Sequence, residues 1–278
     1  MAIMNTLDGD RRVQVARHLI DGKSLQTTAV LTGVAKNTVA KLLADVGKSC
    51  TIYQDKHLSN LRCRRLQCNE VWSFGETKQK NVPVEQAGRG HSDVWTWTAI
   101  DTDTKLVPCW MVGQRGLATA AEFIGDLAKR LSHNVQLITN DRRSLVEVVA
   151  TGESEDLDLA KLAKIYGASR QEQGRYFPSL TNGAEPKGYM PTPELGDIGA
   201  DPVKQRNLIM PMSMNALSHL TGISPKRVEN HMAAIALHFM YHNFAKVDQS
   251  NRTTPAMAAG VTARPWDIND IIKLADST

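Results

Sequence analysis

Four cysteines in 278 residues, at positions 50, 63, 68 and 109, are too few and too scattered to staple a chain of this length, which excludes a disulfide framework. No apolar run approaches the roughly 20 residues a helix needs to cross a bilayer, and the first residues lack the apolar stretch of a signal peptide. The expected setting is therefore a reducing cytoplasm, without a membrane partner. Aromatic residues are scarce at 5%, yet 42% of the chain is hydrophobic, enough for a substantial core in one large domain plus a smaller one. Zinc-ligand grammar is also missing. Cys50, His57, Cys63 and Cys68 offer a single short Cys-x₄-Cys pair, and Cys68 alternates with Leu66 as a core residue of a strand does.

The net charge of +4 is small, but its distribution is uneven. Residues 1–66 hold eleven Lys/Arg against five Asp/Glu, a net of +6, and the remainder is slightly acidic. Attraction to phosphates dominates non-specific DNA affinity, so any DNA footprint belongs to this first segment. Its apolar spacing reads as three helices. Val13, Ala16, Leu19 and Ile20 form one stripe, ended by Asp21-Gly22. Ser24 is the N-cap of a second helix through Leu31, Thr32-Gly33-Val34 is a tight turn, and a third helix runs from about Lys36 to Val46, burying Val39, Leu42 and Leu43. This is helix-turn-helix grammar. The third helix presents Lys36, Asn37, Thr38 and Lys41, of which Asn suits adenine and Lys suits guanine or phosphate. A linker near Cys50–Asn60 leads to a basic run in which Arg62, Arg64 and Arg65 can track phosphates or form a solvated hinge.

From Arg65 the order reads strand, loop, strand, hairpin, strand, helix, strand. The hairpin pairs Trp95–Ile100 with Leu106–Val112, the helix spans Thr119–Leu131, and the last strand is Val135–Thr139. Asp101 and Asp103 read as solvated turn carboxylates. Asp156–Tyr166 reads as a further helix, residues 178–202, with five prolines and four glycines, as a long loop, and Pro225–Phe244 as a long helix. His231, His238 and His242 lie on that last helix. His238 and His242 have the i, i+4 spacing of a metal pair but lack a third ligand in a known place, so they read as structural histidines. Arg252–Val261 reads as an extended tail followed by a short helix.

Three segments carry a more specific signal: Gln67-Cys68-Asn69-Glu70-Val71-Trp72-Ser73-Phe74, Gln136-Leu137-Ile138-Thr139-Asn140-Asp141 and Val203-Lys204-Gln205-Arg206-Asn207-Leu208. With Val94–Asp101, Lys164-Ile165-Tyr166-Gly167, Val228-Glu229-Asn230-His231, Leu237–Phe244 and Thr254–Val261 they follow one another in the order of a known family. On these residues the chain resembles the insertion-sequence-one family of bacterial DDE transposases. The resemblance implies an α/β fold, an RNase H-like mixed-sheet core preceded by an all-α helix-turn-helix domain. The corresponding boundaries are 1–50 for the DNA-binding domain, 51–64 for a linker, 65–250 for the core with a loop-rich insertion at about 150–202, and 251–278 for a C-terminal tail.

The resemblance places the three catalytic carboxylates of the family at Asn69, Asn140 and Lys204. Two-metal strand transfer needs anionic oxygens to clamp the divalent ions, and Mg²⁺ gives up its water reluctantly without them. At 4 Å and an effective dielectric near 20, a lysine cation repels each unit of metal charge by roughly 4 kcal/mol. Lys204 thus opposes metal occupancy. The neighbouring acids Glu70 and Asp141 are weak substitutes, since successive side chains on a strand point to opposite faces. Pro211 and the absence of arginines after Asn207 depart from the family pattern as well. The expected function is a transposase-derived DNA-binding protein without strand-transfer catalysis, acting as a regulator or competitor at element ends, with no metal and no cofactor. Its partners would be double-stranded DNA, including terminal inverted repeats, and copies of itself or of a related transposase. The alternatives are an active Mg²⁺-dependent transposase using Glu70, Asp141 and Glu229, and an inactive partner that co-assembles with a functional transposase.

Overall fold

The computed structural model describes residues 7–74, 94–133, 135–139, 162–166 and 225–276. Asn140, Asp141, Lys204, Asn207, Pro211 and the loop expected at 178–202 lie outside the described residues. Among the described residues no helix is long and apolar enough to cross a membrane. The chain is mixed α/β, with a mixed sheet and helices, and divides into two compact units.

The first unit is helical. It contains α1 (Gly9–Ile20), α2 (Leu25–Thr32) and α3 (Lys36–His57), together with α5 (Pro225–Met240), α6 (Pro255–Ala258) and α7 (Ile268–Lys273). The stripe of α1 is Val15, Ala16, Leu19 and Ile20, all buried, while Val13 is only half-buried. α3 is twice the expected length. Val46, Cys50 and Gln54 continue its buried spacing, so the boundary expected at residue 50 falls inside a helix and residues 51–57 are helical, not linker. That face of α3 packs along α5. The approach is close at Gly47, where a Cβ would lie 2.6 Å from Cα and Cβ of Ala233. Gln54 is buried at the same contact, its Nε2 donating to the carbonyls of Cys50 at 3.2 Å and Ala236 at 3.3 Å.

α5 ends in a π-helical turn, Tyr241–Ala245. The segment beyond it is not an extended tail. Thr254 caps α6, its Oγ1 accepting from Met257 N at 3.2 Å, with Pro255 in the first turn. Asp267 and Asp270 close a capping box on α7, which packs against α1 and α3. A short helix was expected in this segment and is present; only the extended stretch is corrected, because cap signals without a long apolar period are easy to overlook.

The second unit holds β3 (Cys109–Gly113), α4 (Leu117–Arg130), β4 (Val135–Thr139), β5 (Leu162–Tyr166) and most of β1 (Arg65–Phe74) and β2 (Val94–Asp101). The five strands lie in the order β3-β2-β1-β4-β5. β1 pairs parallel with β4 from Arg65↔Gln136 to Cys68↔Thr139, and β4 pairs parallel with β5 from Val135↔Leu162 to Thr139↔Tyr166. A helix expected over 156–166 is thus corrected at its end: Leu162–Tyr166 is a strand. A five-residue apolar stretch has too little length to show its period, and pairing with β4 decides the matter.

α4 lays Ala120, Phe123, Ile124, Leu127 and Ala128 on the sheet at helical spacing, with Phe123 6.0 Å from the buried Trp97 of β2. Removing each such large side chain from water stabilises the unit by about 1.5–3 kcal/mol before entropy is counted. All four cysteines are free and buried. Burial pushes the Cys50, Cys63 and Cys68 thiols up to about 12, and Cys109 well above its ordinary value. They are packed thiols, not nucleophiles.

Candidate nucleic-acid interface

In the first unit the residues expected to read DNA stand at the start of α3. Ser24 caps α2, its Oγ accepting from Thr27 N at 3.0 Å. Gly33, at φ 66, ends α2 in the left-handed conformation that glycine adopts without strain. Arg11 Nη1 donates to the Thr32 carbonyl at 2.7 Å, satisfying an open helix end from α1. The chain then turns through Val34 and Ala35 into α3, whose first turn has no side-chain cap. Lys36, Asn37 and Lys41 are exposed and Thr38 is half-buried, while Val39, Leu42 and Leu43 face inward. At 3.6 residues per turn, Asn37 and Lys41 lie within about 40° of one another around the helix. The surface of α2 beside them carries two exposed apolar side chains, Val30 at 72% and Leu31 at 55%.

Arg62, Arg64 and Arg65 belong to the second unit, not to a free linker. Leu61 N donates to Arg130 O at 2.9 Å, and the Leu61 carbonyl accepts from Ser132 N at 3.0 Å. Gln136 N donates to Arg64 O at 3.0 Å. Leu61 and Cys63 are buried between these bonds, leaving Arg62 and Arg64 exposed by strand alternation. Arg65 is engaged elsewhere, its Nη2 lying 3.1 Å from Oδ1 of Asp103.

β1 and β4 are the parallel pair on which the strand order reverses, the position where α/β sheets commonly hold ligands. One rung between them joins Cys68 to Thr139. Asn69 and Asn140 are the residues that follow in sequence. Asn69 is half-buried and its Oδ1 accepts from Gln67 Nε2 at 3.3 Å, two residues back on the same face. Glu70 points to the other face with Leu66 and Cys68. Its side chain is 2% exposed and Oε2 lies 3.0 Å from Arg115 Nε. Among the described residues, Asn69 thus offers a neutral amide that already accepts from Gln67, and the carboxylate of Glu70 is paired to Arg115. Among the described residues no group of three or more His, Cys, Asp or Glu could hold a metal ion.

No protein-family model, curated protein or solved structure matches the chain.

Two expectations about other side chains change. Asp101 is not a solvated turn carboxylate. It is 2% exposed, and its Oδ2 accepts from Thr104 N at 3.2 Å and Thr104 Oγ1 at 2.6 Å, bracing the turn between β2 and β3. Asp103 is the exposed one, paired to Arg65. The three histidines of the α5 segment are buried, and burial brings His231 and His238 down to about 4. His231 and His238 are neutral rings packed in the core of the helical unit, His238 edge-on to Phe239 at 5.4 Å. The sequence reading missed Lys48 and Lys56 as candidates, because it stopped α3 at Val46. The spacings of seven residues from Lys41 to Lys48 and eight from Lys48 to Lys56 were the available signal.

Proposed function

We propose that the chain is a transposase-derived DNA-binding protein that has given up strand-transfer chemistry and acts as a regulator or competitor at the ends of a related element. On this reading α2, the Gly33 turn and α3 are a helix-turn-helix, with Lys36, Asn37 and Lys41 facing the major groove. The sheet is then the remnant of an RNase H-like core. The observation that carries the reading is the β1/β4 pairing: the residues after its Cys68↔Thr139 rung are Asn69 and Asn140 in sequence. At both positions where the resemblance expects a carboxylate, this chain has an amide. The loss of both charges removes the reason for a hard dication to shed water there. DNA affinity needs none of this, since phosphate contacts from exposed cations are enough to hold a duplex.

A nicking assay tests the catalytic half. Supercoiled plasmid carrying candidate ends stays intact in Mg²⁺ or Mn²⁺ with the purified chain, and metal-dependent nicking abolished by Asp141→Asn contradicts the reading. The lineage has its own test. The triple variant Asn69→Asp, Asn140→Asp, Lys204→Glu gains Mn²⁺ affinity by calorimetry, and a folded triple variant that binds no ion sinks the assignment of those positions.

A further inference from the structure

α3 is a single helix of 22 residues, and its solvent face does not stop where the base-reading residues do. Lys41 and Lys48, seven residues apart, fall within about 20° of each other around the helix, and Lys56 lies on the same outer half one more stretch along. Lys36, Lys41, Lys48 and Lys56 are all exposed, and none is in an ion pair among the described residues. Acids were within reach. Asp45 stands four residues after Lys41 and three before Lys48, the spacings at which helical pairs form, yet no such pair is present. Five arginines elsewhere behave differently: Arg12, Arg65, Arg115, Arg130 and Arg264 each meet a carboxylate at 2.8–3.1 Å.

From Lys36 to Lys56 is about 30 Å of helix, close to the 34–36 Å of one duplex turn. A straight helix cannot follow a groove about 12 Å wide for that distance, so its far end meets the sugar–phosphate wall. We infer that Lys48 and Lys56 bind backbone phosphates of the same duplex whose bases are read at the start of α3. Charge complementarity selects the occupant, since unpaired ammonium groups along a rigid rod match a phosphate row. This inference rests on the DNA-binding reading above. It adds a sequence-independent clamp, held in place by the packing of the same helix on α5.

The test uses the full chain and two 30-base-pair duplexes, one selected for binding and one of random sequence, titrated by fluorescence anisotropy from 50 to 200 mM salt. Lys48→Gln/Lys56→Gln weakens binding to both duplexes by the same factor. It also lowers the slope of log affinity against log salt by about 1.8, so the wild type loses about 12-fold more affinity than the variant across that range. Lys48→Glu/Lys56→Glu weakens both duplexes further with the same far-ultraviolet circular dichroism and melting. Lys36→Ala/Lys41→Ala instead reduces the preference for the selected duplex. An unchanged slope in a wild-type background that binds DNA overturns the clamp and leaves the reader standing. Failure of the wild type to bind either duplex overturns both.

Discussion

The lysines on the outer face of α3 and three arginines of the sheet unit carry their charge differently, although Arg62 and Arg64 of the sheet unit are exposed as well. Along α3 the lysines stand exposed and unpaired among the described residues, while in the sheet unit Arg65, Arg115 and Arg130 are tied to Asp103, Glu70 and Asp126. Cations kept free remain available to a polyanion. Cations locked to neighbouring carboxylates brace a fold instead, and Glu70, next to the expected catalytic position Asn69, is part of such a brace. The contrast teaches that, under the proposed reading, DNA contact and strand-transfer chemistry can be separated: exposed lysines on α3 are open to phosphates, while Glu70 is engaged in structure.

The strongest way to break the helical side is at its tightest contact. Gly47→Val forces side-chain atoms into Ala233, and overpacking of this kind costs about 3 kcal/mol. Urea denaturation monitored by circular dichroism should show that loss together with weaker DNA binding. Unchanged stability would mean that α3 and α5 are not held together there.

Acid separates the two regions next. His231 and His238 are lowered from 6.5 to about 4 by burial, His238 also by His242 and Lys246. The unfolded chain therefore binds these protons first, and stability rises with pH across this window. Their contribution is complete above pH 6.5 and is lost as pH falls toward 4, by up to about 3 kcal/mol for each ring. His238→Phe should flatten the fall in melting temperature between pH 6.5 and 4.5, and an undiminished fall would place the acid sensitivity elsewhere.

In the sheet unit, Arg115→Ala removes the arginine from the buried carboxylate of Glu70 and should cost about 2 kcal/mol, reduced from a fully buried pair because the Arg115 side chain is half exposed. Glu70→Gln in the same background should recover part of the loss in a double-mutant cycle. The smallest effect is at the cap of α2. Ser24→Ala should cost about 1 kcal/mol, read as a shift in the thermal midpoint.

Much of the helical unit could be read from sequence because its signals are local. Ser24 and Gly33 mark the ends of α2, and Val39, Leu42 and Leu43 mark the buried side of α3. The second half of α3 was hidden because its buried face includes Gly47, Ser49 and Gln54, small or polar residues that acquire their role only against α5. β5 was hidden for a related reason, since parallel pairing with β4 is a long-range fact that no short window contains. In the candidate site, strand alternation put Asn69 and Glu70 on opposite faces, but the partner that holds Glu70 is Arg115, 45 residues away. Asp101 was misjudged because a carboxylate in a turn is ordinarily solvated, and only the sheet buries it.

The measurement that bears most directly on the central claim is a selection of bound duplexes from sheared genomic DNA, made in EDTA at low and high salt with the full chain and with Lys36→Ala/Lys41→Ala. The account predicts a defined sequence recovered without metal at both salts by the wild type and lost with the variant. Recovery of random sequence that disappears at high salt and is indifferent to the two lysines would contradict it.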